Sequence, residues 1–134
     1  MPEASESGGR FVIQKHQART LHYDFRLERE GVFKSWVVPK GVPEEIGARR
    51  LALVTEDHSL EFGGFEGEIP EGEYGAGTVE IWDTGTYTAN SWTESEIDIQ
   101  LAGDRISGHY QLVRFERSGL RSWLLFKRTG DSEG

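Results

Sequence analysis

The stretch "KHQARTLHYDFRLE", residues 15–28, separates cleanly when read with a period of two. Leu21, Tyr23, Phe25 and Leu27 share one parity; His22, Asp24, Arg26 and Glu28 share the other. Successive side chains of a strand point to opposite faces, so strict alternation over this length predicts a half-buried strand. Residues two apart on such a face lie ~6.6–6.8 Å apart, close enough for His22 and Asp24 to converge on one ion. His16 stands six residues upstream in the same parity class, with "QART" between as a candidate bend. Two imidazoles and one carboxylate suit a borderline divalent ion such as manganese, iron or zinc. Arg26 comes next on that face and makes sense if the ligand beside the ion is an anion, because a guanidinium fork matches phosphate geometry. The plainer reading is a solvated strand face. Two of the chain's four histidines within seven residues, beside an in-register aspartate, weigh against it.

Outward from this stretch the chain reads as strands throughout. The runs "RFVIQK", "LHYDFRLE", "FKSWVVP", "RLALVTE", "TVEIWD", "GTYTA", "IDIQLAG", "GHYQLVRF" and "SWLLFKR" are separated by "EREG", "PKGVP", "GGFEGEIPEGEYGAG", "DTG" and "AGD". Such punctuation marks turns between short strands. "GVPEEIGARR" supplies at most one helical turn. Many short strands in 134 residues imply a mainly β protein with little helix, an antiparallel β-barrel or sandwich. Residues 1–9 and 129–134 read as flexible tails around a single domain over residues 10–128.

Composition narrows the class further. The chain has no cysteine, which excludes a disulfide framework and a thiolate metal site. No apolar run approaches membrane-spanning length, and "MPEASESGG" lacks a basic-then-apolar leader, so a soluble, cytoplasmic protein without membrane partners is expected. The net charge of −8 argues against a broad polyanion-binding face. Its distribution is uneven: residues 51–100 hold twelve acids and no Lys or Arg, whereas residues 1–50 hold nine Lys or Arg against seven acids. A local anion site is compatible with that asymmetry.

Other candidates carry weaker signals. His58 in "VTEDHSLEF" follows an apolar strand, a position from which a side chain enters a site. Lys40 in "VVPKG" either holds a phosphate or is an ordinary turn lysine. Arg49 and Arg50 begin a strand and point to opposite faces. "GEYGAGT" lacks the Lys-Ser/Thr ending of a phosphate loop, so its glycines are assigned to tight turns. His109 in "SGHYQLV" is read as structural.

"RFVIQKHQARTLHYDFRLE", "KSWVVPKG", "LALVTEDHSLEFGGFEGEIPEGEYGAG" and "WLLFKR" resemble the 3′-phosphoesterase domain of bacterial DNA ligase D and its stand-alone bacterial and archaeal versions. The resemblance runs over residues 10–128, with the motifs in the expected order. It implies a compact β-barrel and a metal-dependent enzyme that heals DNA 3′ ends. Such an enzyme removes a 3′-terminal ribonucleoside and then the 3′-phosphate, leaving a 3′-hydroxyl for the polymerase or ligase of an end-joining system. By position, His16, His22 and Asp24 resemble the family's metal ligands, with manganese usual and zinc or cobalt alternatives. Arg26 and His58 resemble its phosphate-contacting residues. Gln14, Lys40, Arg50 and Glu56 match further active-site positions. Phe62 stands where the family often has tyrosine.

Two rival readings start from the same residues. A His-x-Asp pair with a distant histidine also marks iron(II) oxygenases, although Arg26, Lys40 and Arg50 then lack a purpose beyond holding an acid co-substrate. A non-catalytic barrel that binds DNA ends is the other. Single-strand binders display exposed aromatics in a basic groove, whereas Tyr23 and Phe25 fall on the apolar parity and are expected in the core.

Overall fold

A computed structural model describes residues 8–72, 76–114 and 122–129. Among them run nine strands: β1 (Gly8–Gln17), β2 (Leu21–Arg29), β3 (Val32–Val38), β4 (Arg49–His58), β5 (Gly67–Ile69), β6 (Gly77–Trp92), β7 (Glu96–Gly103), β8 (Ser107–Arg114) and β9 (Ser122–Thr129). A short 3-10 helix, Leu60–Gly64, follows β4. The strands hydrogen-bond in the order β1-β2-β3-β4-β9-β8-β7-β6, and β6 returns to β1. Eight antiparallel strands thus close a barrel, with the three-residue β5 paired to the beginning of β6. This is the mainly β, antiparallel barrel expected from the turn-punctuated sequence.

Local chemistry sets the register that matters for function. Between β2 and β3, Glu30 and Gly31 both take positive φ, 59° and 85°. That is the two-residue hairpin turn whose twist matches its strands. It places Arg26 opposite Ser35. Across the other edge of β2, His16 pairs with His22 and Gln14 with Asp24. Directly paired residues of an antiparallel ladder project from the same face, so these side chains share one wall of the barrel.

The apolar parity faces inward. Phe11, Ile13, Phe25, Leu27, Tyr110 and Leu125 are fully buried in one core cluster, each contributing ~1.5–3 kcal/mol if an apolar side chain of this size is wholly removed from water. Tyr110 donates to the carbonyl of Pro43 at 2.7 Å, and burial pushes its phenol well up from its ordinary range. Tyr23, expected in the core, is only partly buried against it, and Leu21 departs further from the parity rule. It begins β2 at the barrel rim and remains 45% exposed.

Three readings change in the folded chain. "TVEIWD" and "GTYTA" are one strand, β6, which runs straight through "DTG". Asp83 does not turn the chain there. Its buried carboxylate accepts backbone N–H bonds from Thr84, Asp104, Arg105 and Ile106 at 2.8–3.0 Å, which caps the turn between β7 and β8. Gly85 lets β7 approach, since a Cβ there would lie 2.1 Å from the carbonyl oxygen of Ala102. "GVPEEIGARR" forms a tight turn closed by Ala48 N–H to Glu45 and one isolated bridge to β9, without a helical turn. The helical turn lies instead at Leu60–Gly64. At the N-terminal side β1 begins at Gly8, where Gly8 and Gly9 pair with Thr88 and Tyr87.

Candidate metal centre and phosphate site

The polar parity of β2 is not a solvated face. Asp24 is 8% exposed and Arg26 only 4%. The chain after β4 helps cover this wall, with Gln14 Nε2 donating to the carbonyl of Phe65 at 3.1 Å. A buried carboxylate and guanidinium demand partners, and the neighbouring strands supply them.

One ligand-donor atom each from His16, His22 and Asp24 lies within 4.8 Å of the other two. His16 Nδ1 is 3.6 Å from Asp24 Oδ2, and His22 Nε2 is 3.5 Å from Asp24 Oδ1. The two imidazole rings stand 4.6 Å apart, tilted at 57°. His22 Nδ1 lies 3.2 Å from the carbonyl of Thr20, a contact that orients a ligating ring and leaves Nε2 facing the carboxylate. Two nitrogen donors and one oxygen donor converging on one point fit a borderline divalent cation.

The charges on this wall tune one another. The Asp24 carboxylate beside His22 raises that histidine above its ordinary value, against the opposing effect of burial. Burial pushes the Asp24 carboxyl up, but His22 and the Arg26 guanidinium together more than offset it, so the group sits below its ordinary range. Burial is also the main influence lowering Arg26, which nevertheless stays charged.

Arg26 joins the triad to a second group of residues. Its Nη2 is 3.5 Å from Asp24 Oδ2. Its Nε donates to Gln14 Oε1 at 2.6 Å, and its Nη1 donates to Ser35 Oγ at 2.8 Å. The same Nη1 lies 3.1 Å from Nδ1 of His58, the last residue of β4. His58 Nδ1 is also 3.0 Å from the carbonyl of Glu56. Arginine only donates and a carbonyl only accepts, so a neutral His58 serves one of these neighbours at a time. Accepting from Arg26 leaves Nε2 protonated as a donor; donating to Glu56 leaves Nε2 as an acceptor. Burial, and then the Arg26 cation, lower the His58 pKa below its ordinary value and favour the neutral ring.

The structure therefore brings together Gln14, His16, His22, Asp24, Arg26 and His58, drawn from β1, β2 and β4. Glu56 reaches the group through its backbone carbonyl, and its side chain is exposed. Lys40 and Arg50 stand elsewhere: they line a cleft with Tyr23 and Trp82 and make no hydrogen bond or ion pair with Arg26, His58 or the triad. The Phe62 side chain lies outside the described residues, as do Tyr74 and the middle of "GEYGAGT". Ser35 is the residue that sequence reading missed. Its alternation on β3 is visible in "KSWVV", but its place opposite Arg26 depends on a hairpin register. His109 lies on another wall, bonded to Asp98 at 2.6 Å.

A closed antiparallel barrel with a convergent His-His-Asp triad beside a buried, multiply held arginine defines a protein with a candidate divalent-metal centre fitted to anions. The chain belongs to the DNA Ligase D 3′-phosphoesterase domain family, whose model matches residues 14–114. It is 54% identical over 111 residues to the multifunctional non-homologous end joining protein LigD of Mycobacterium bovis, covering 80% of this chain and 15% of that protein. The LigD proteins of Mycolicibacterium smegmatis and Pseudomonas aeruginosa are each 44% identical, over 126 and 124 residues. Those matches cover 86% and 88% of this chain, but 16% and 15% of the relatives. The chain thus spans about one sixth of the length of these relatives. Among the described residues, no helix is long and apolar enough to cross a membrane.

Proposed function

We propose that this chain is a metal-dependent phosphoesterase that heals DNA 3′ ends in non-homologous end joining. It removes a 3′-phosphate, and a 3′-terminal ribonucleoside, to leave a 3′-hydroxyl for repair synthesis or ligation. Its substrates are DNA or mixed DNA/RNA primer ends, and its partners are the ligase and polymerase of an end-joining system. The observation that carries this reading is the shared wall, where a convergent His-His-Asp triad meets the Arg26 guanidinium and His58. Membership of the phosphoesterase family supports the end-processing class. The oxygenase reading gives no role to an arginine held by Gln14, Ser35 and His58 at once.

His16, His22 and Asp24 would hold the ion, with Mn²⁺ the expected one and Zn²⁺ or Co²⁺ alternatives. When bound, such an ion supplies Lewis acidity at a phosphoryl oxygen and lowers the pKa of a coordinated water. Arg26 contributes fixed positive charge to the nonbridging oxygens, where phosphoryl transfer depends most on positioning and electrostatics. Gln14 and Ser35 hold its guanidinium plane, so little reorganisation accompanies reaction. His58 in its neutral form donates from Nε2 to the phosphoryl group or the leaving 3′-oxygen while Nδ1 accepts from Arg26. Its lowered pKa favours this hydrogen-bonding role over that of an imidazolium acid.

The deciding experiment is release of inorganic phosphate from a 3′-phosphorylated primer–template. Turnover with Mn²⁺, abolished by chelation and restored by the ion, is the expected result. Undiminished turnover after verified metal removal, or no turnover with any divalent ion, would sink the proposal.

A further inference from the structure

Resting on that phosphoesterase reading, we propose that the cleft holding Lys40 and Arg50 receives the 3′-terminal nucleotide of the strand being processed, separately from the phosphate beside Arg26. The cleft has a volume of about 360 Å³ and is lined by Tyr23, Lys40, Glu44, Glu45, Arg50 and Trp82, a size within the range of small-ligand sites. Tyr23 and Trp82 meet edge to face, centroids 5.7 Å apart and planes at 78°, and so form an aromatic corner. The Arg105 guanidinium over the Trp82 ring at 4.6 Å braces that corner.

The polar lining is balanced, with two cations and two carboxylates, and none of the four is paired with another across the cleft. Arg50 Nε is buried without a hydrogen-bond partner. Two carboxylates disfavour a bare phosphate, and four charged groups disfavour a hydrocarbon. A nucleotide matches every part: a planar base for the corner, N–H or hydroxyl donors for Glu44 and Glu45, and its 5′-side phosphate for Lys40 and Arg50.

Placement agrees with chemistry. Tyr23 sits between His22 and Asp24 in β2, and alternation turns it to the opposite side of the strand. The cleft and the metal centre are therefore back to back across the beginning of β2. A strand end that rounds the rim at Leu21 presents its terminal nucleoside to one and its 3′-phosphate to the other.

The test uses two 3′-phosphorylated oligonucleotides, one ending in 2-aminopurine and one in an abasic nucleotide, with Mn²⁺-loaded protein. For the native chain the abasic substrate is expected to raise KM about tenfold, equivalent to ~1.4 kcal/mol, with little change in kcat. Trp82→Leu should raise KM for the base-bearing substrate to the abasic level, and Trp82→Phe should restore discrimination. Equal KM values for the native chain, or an equal loss of kcat on both substrates in Trp82→Leu, would overturn the proposal. Glu45→Lys alters an exposed residue and leaves the core untouched. It should raise KM for the base-bearing substrate; a lower KM for both would make the cleft a plain phosphate site and overturn the nucleotide assignment. If the native chain turns over neither oligonucleotide, the phosphoesterase reading fails. Quenching of 2-aminopurine on binding then still decides the cleft: quenching lost in Trp82→Leu supports it, and no quenching in the native chain overturns it.

Discussion

Two walls of the same barrel each set histidine beside aspartate. On β1 and β2, His16 and His22 flank Asp24 at 3.5–3.6 Å. On β7 and β8, His109 Nε2 meets Asp98 Oδ1 at 2.6 Å, and Asn90 donates to the same oxygen at 2.7 Å. Close by, Gln111 donates to Glu96 and Arg128 donates to Gln111. On the second wall the Asp98 oxygen already has two short partners. The first sets its donor atoms 3.5–3.6 Å apart around a common point, with His16 and Asp24 buried and His22 half-buried. Residue type alone does not separate a site from a structural ladder. Spacing between donor atoms and the identity of the next cation do.

Removing the carboxylates tests that contrast most severely. Asp24→Ala should abolish metal uptake and reduce turnover to background, whereas Asp98→Ala should retain both; metal content after dialysis and phosphate release measure the pair. If Asp98→Ala lost the ion and Asp24→Ala kept it, the metal centre would be on the wrong wall. Next in size, His58→Ala should keep the ion and lose ~10²- to 10⁴-fold in single-turnover rate, the range for removing a catalytic proton donor or transition-state hydrogen bond. Loss of the ion together with activity would make His58 a ligand. Gln14→Leu removes the acceptor of Arg26 Nε and should cost ~10- to 100-fold in kcat, the range for orienting partners around a metal site, with metal content unchanged. An unaltered kcat would show that Arg26 needs no such support. His109→Gln should cost less than about tenfold in turnover, or ~1.4 kcal/mol.

The smallest effect is a titration. In metal-free protein, the His58 ring resonances should shift with a midpoint below 6.5, because burial and Arg26 oppose protonation. The unfolded chain then binds this proton first, so the ring's contribution favours the fold above pH 6.5 and falls away as pH drops toward the folded midpoint. A midpoint above 6.5 would remove the basis for a neutral His58 donor.

How much of this was legible beforehand differs by kind of information. Alternation in "LHYDFRLE" gave β2, its inward face, and the grouping of His22, Asp24 and Arg26, because parity is a local property of the chain. His16 joined the group because the β1–β2 hairpin folds it directly onto His22. Burial of the polar face was not legible, since the covering segment after β4 is distant in sequence. Nor was the Arg26–His58 contact, which spans 32 residues, or the part played by Ser35. Lys40 and Arg50 were expected to join Arg26 as phosphate-holding cations, whereas the barrel places them in a cleft with Tyr23 and Trp82. "DTG" misled because Asp83 uses its carboxylate on a turn twenty residues away instead of turning its own backbone.

The hairpin origin of the triad has a thermodynamic consequence. His16, His22 and Asp24 all fall within nine consecutive residues. An ion held there closes only a very short loop, so it removes little conformational freedom from the unfolded chain. A partly folded β1–β2 hairpin can also compete for the ion, which weakens the linkage between metal concentration and melting temperature. The barrel closes through β1 and β6, whose partners are some seventy residues apart, and it owes its cohesion to that long-range pairing and the inward core. An ion bound there would thus be a reagent carried by the barrel, not a rivet that keeps it shut.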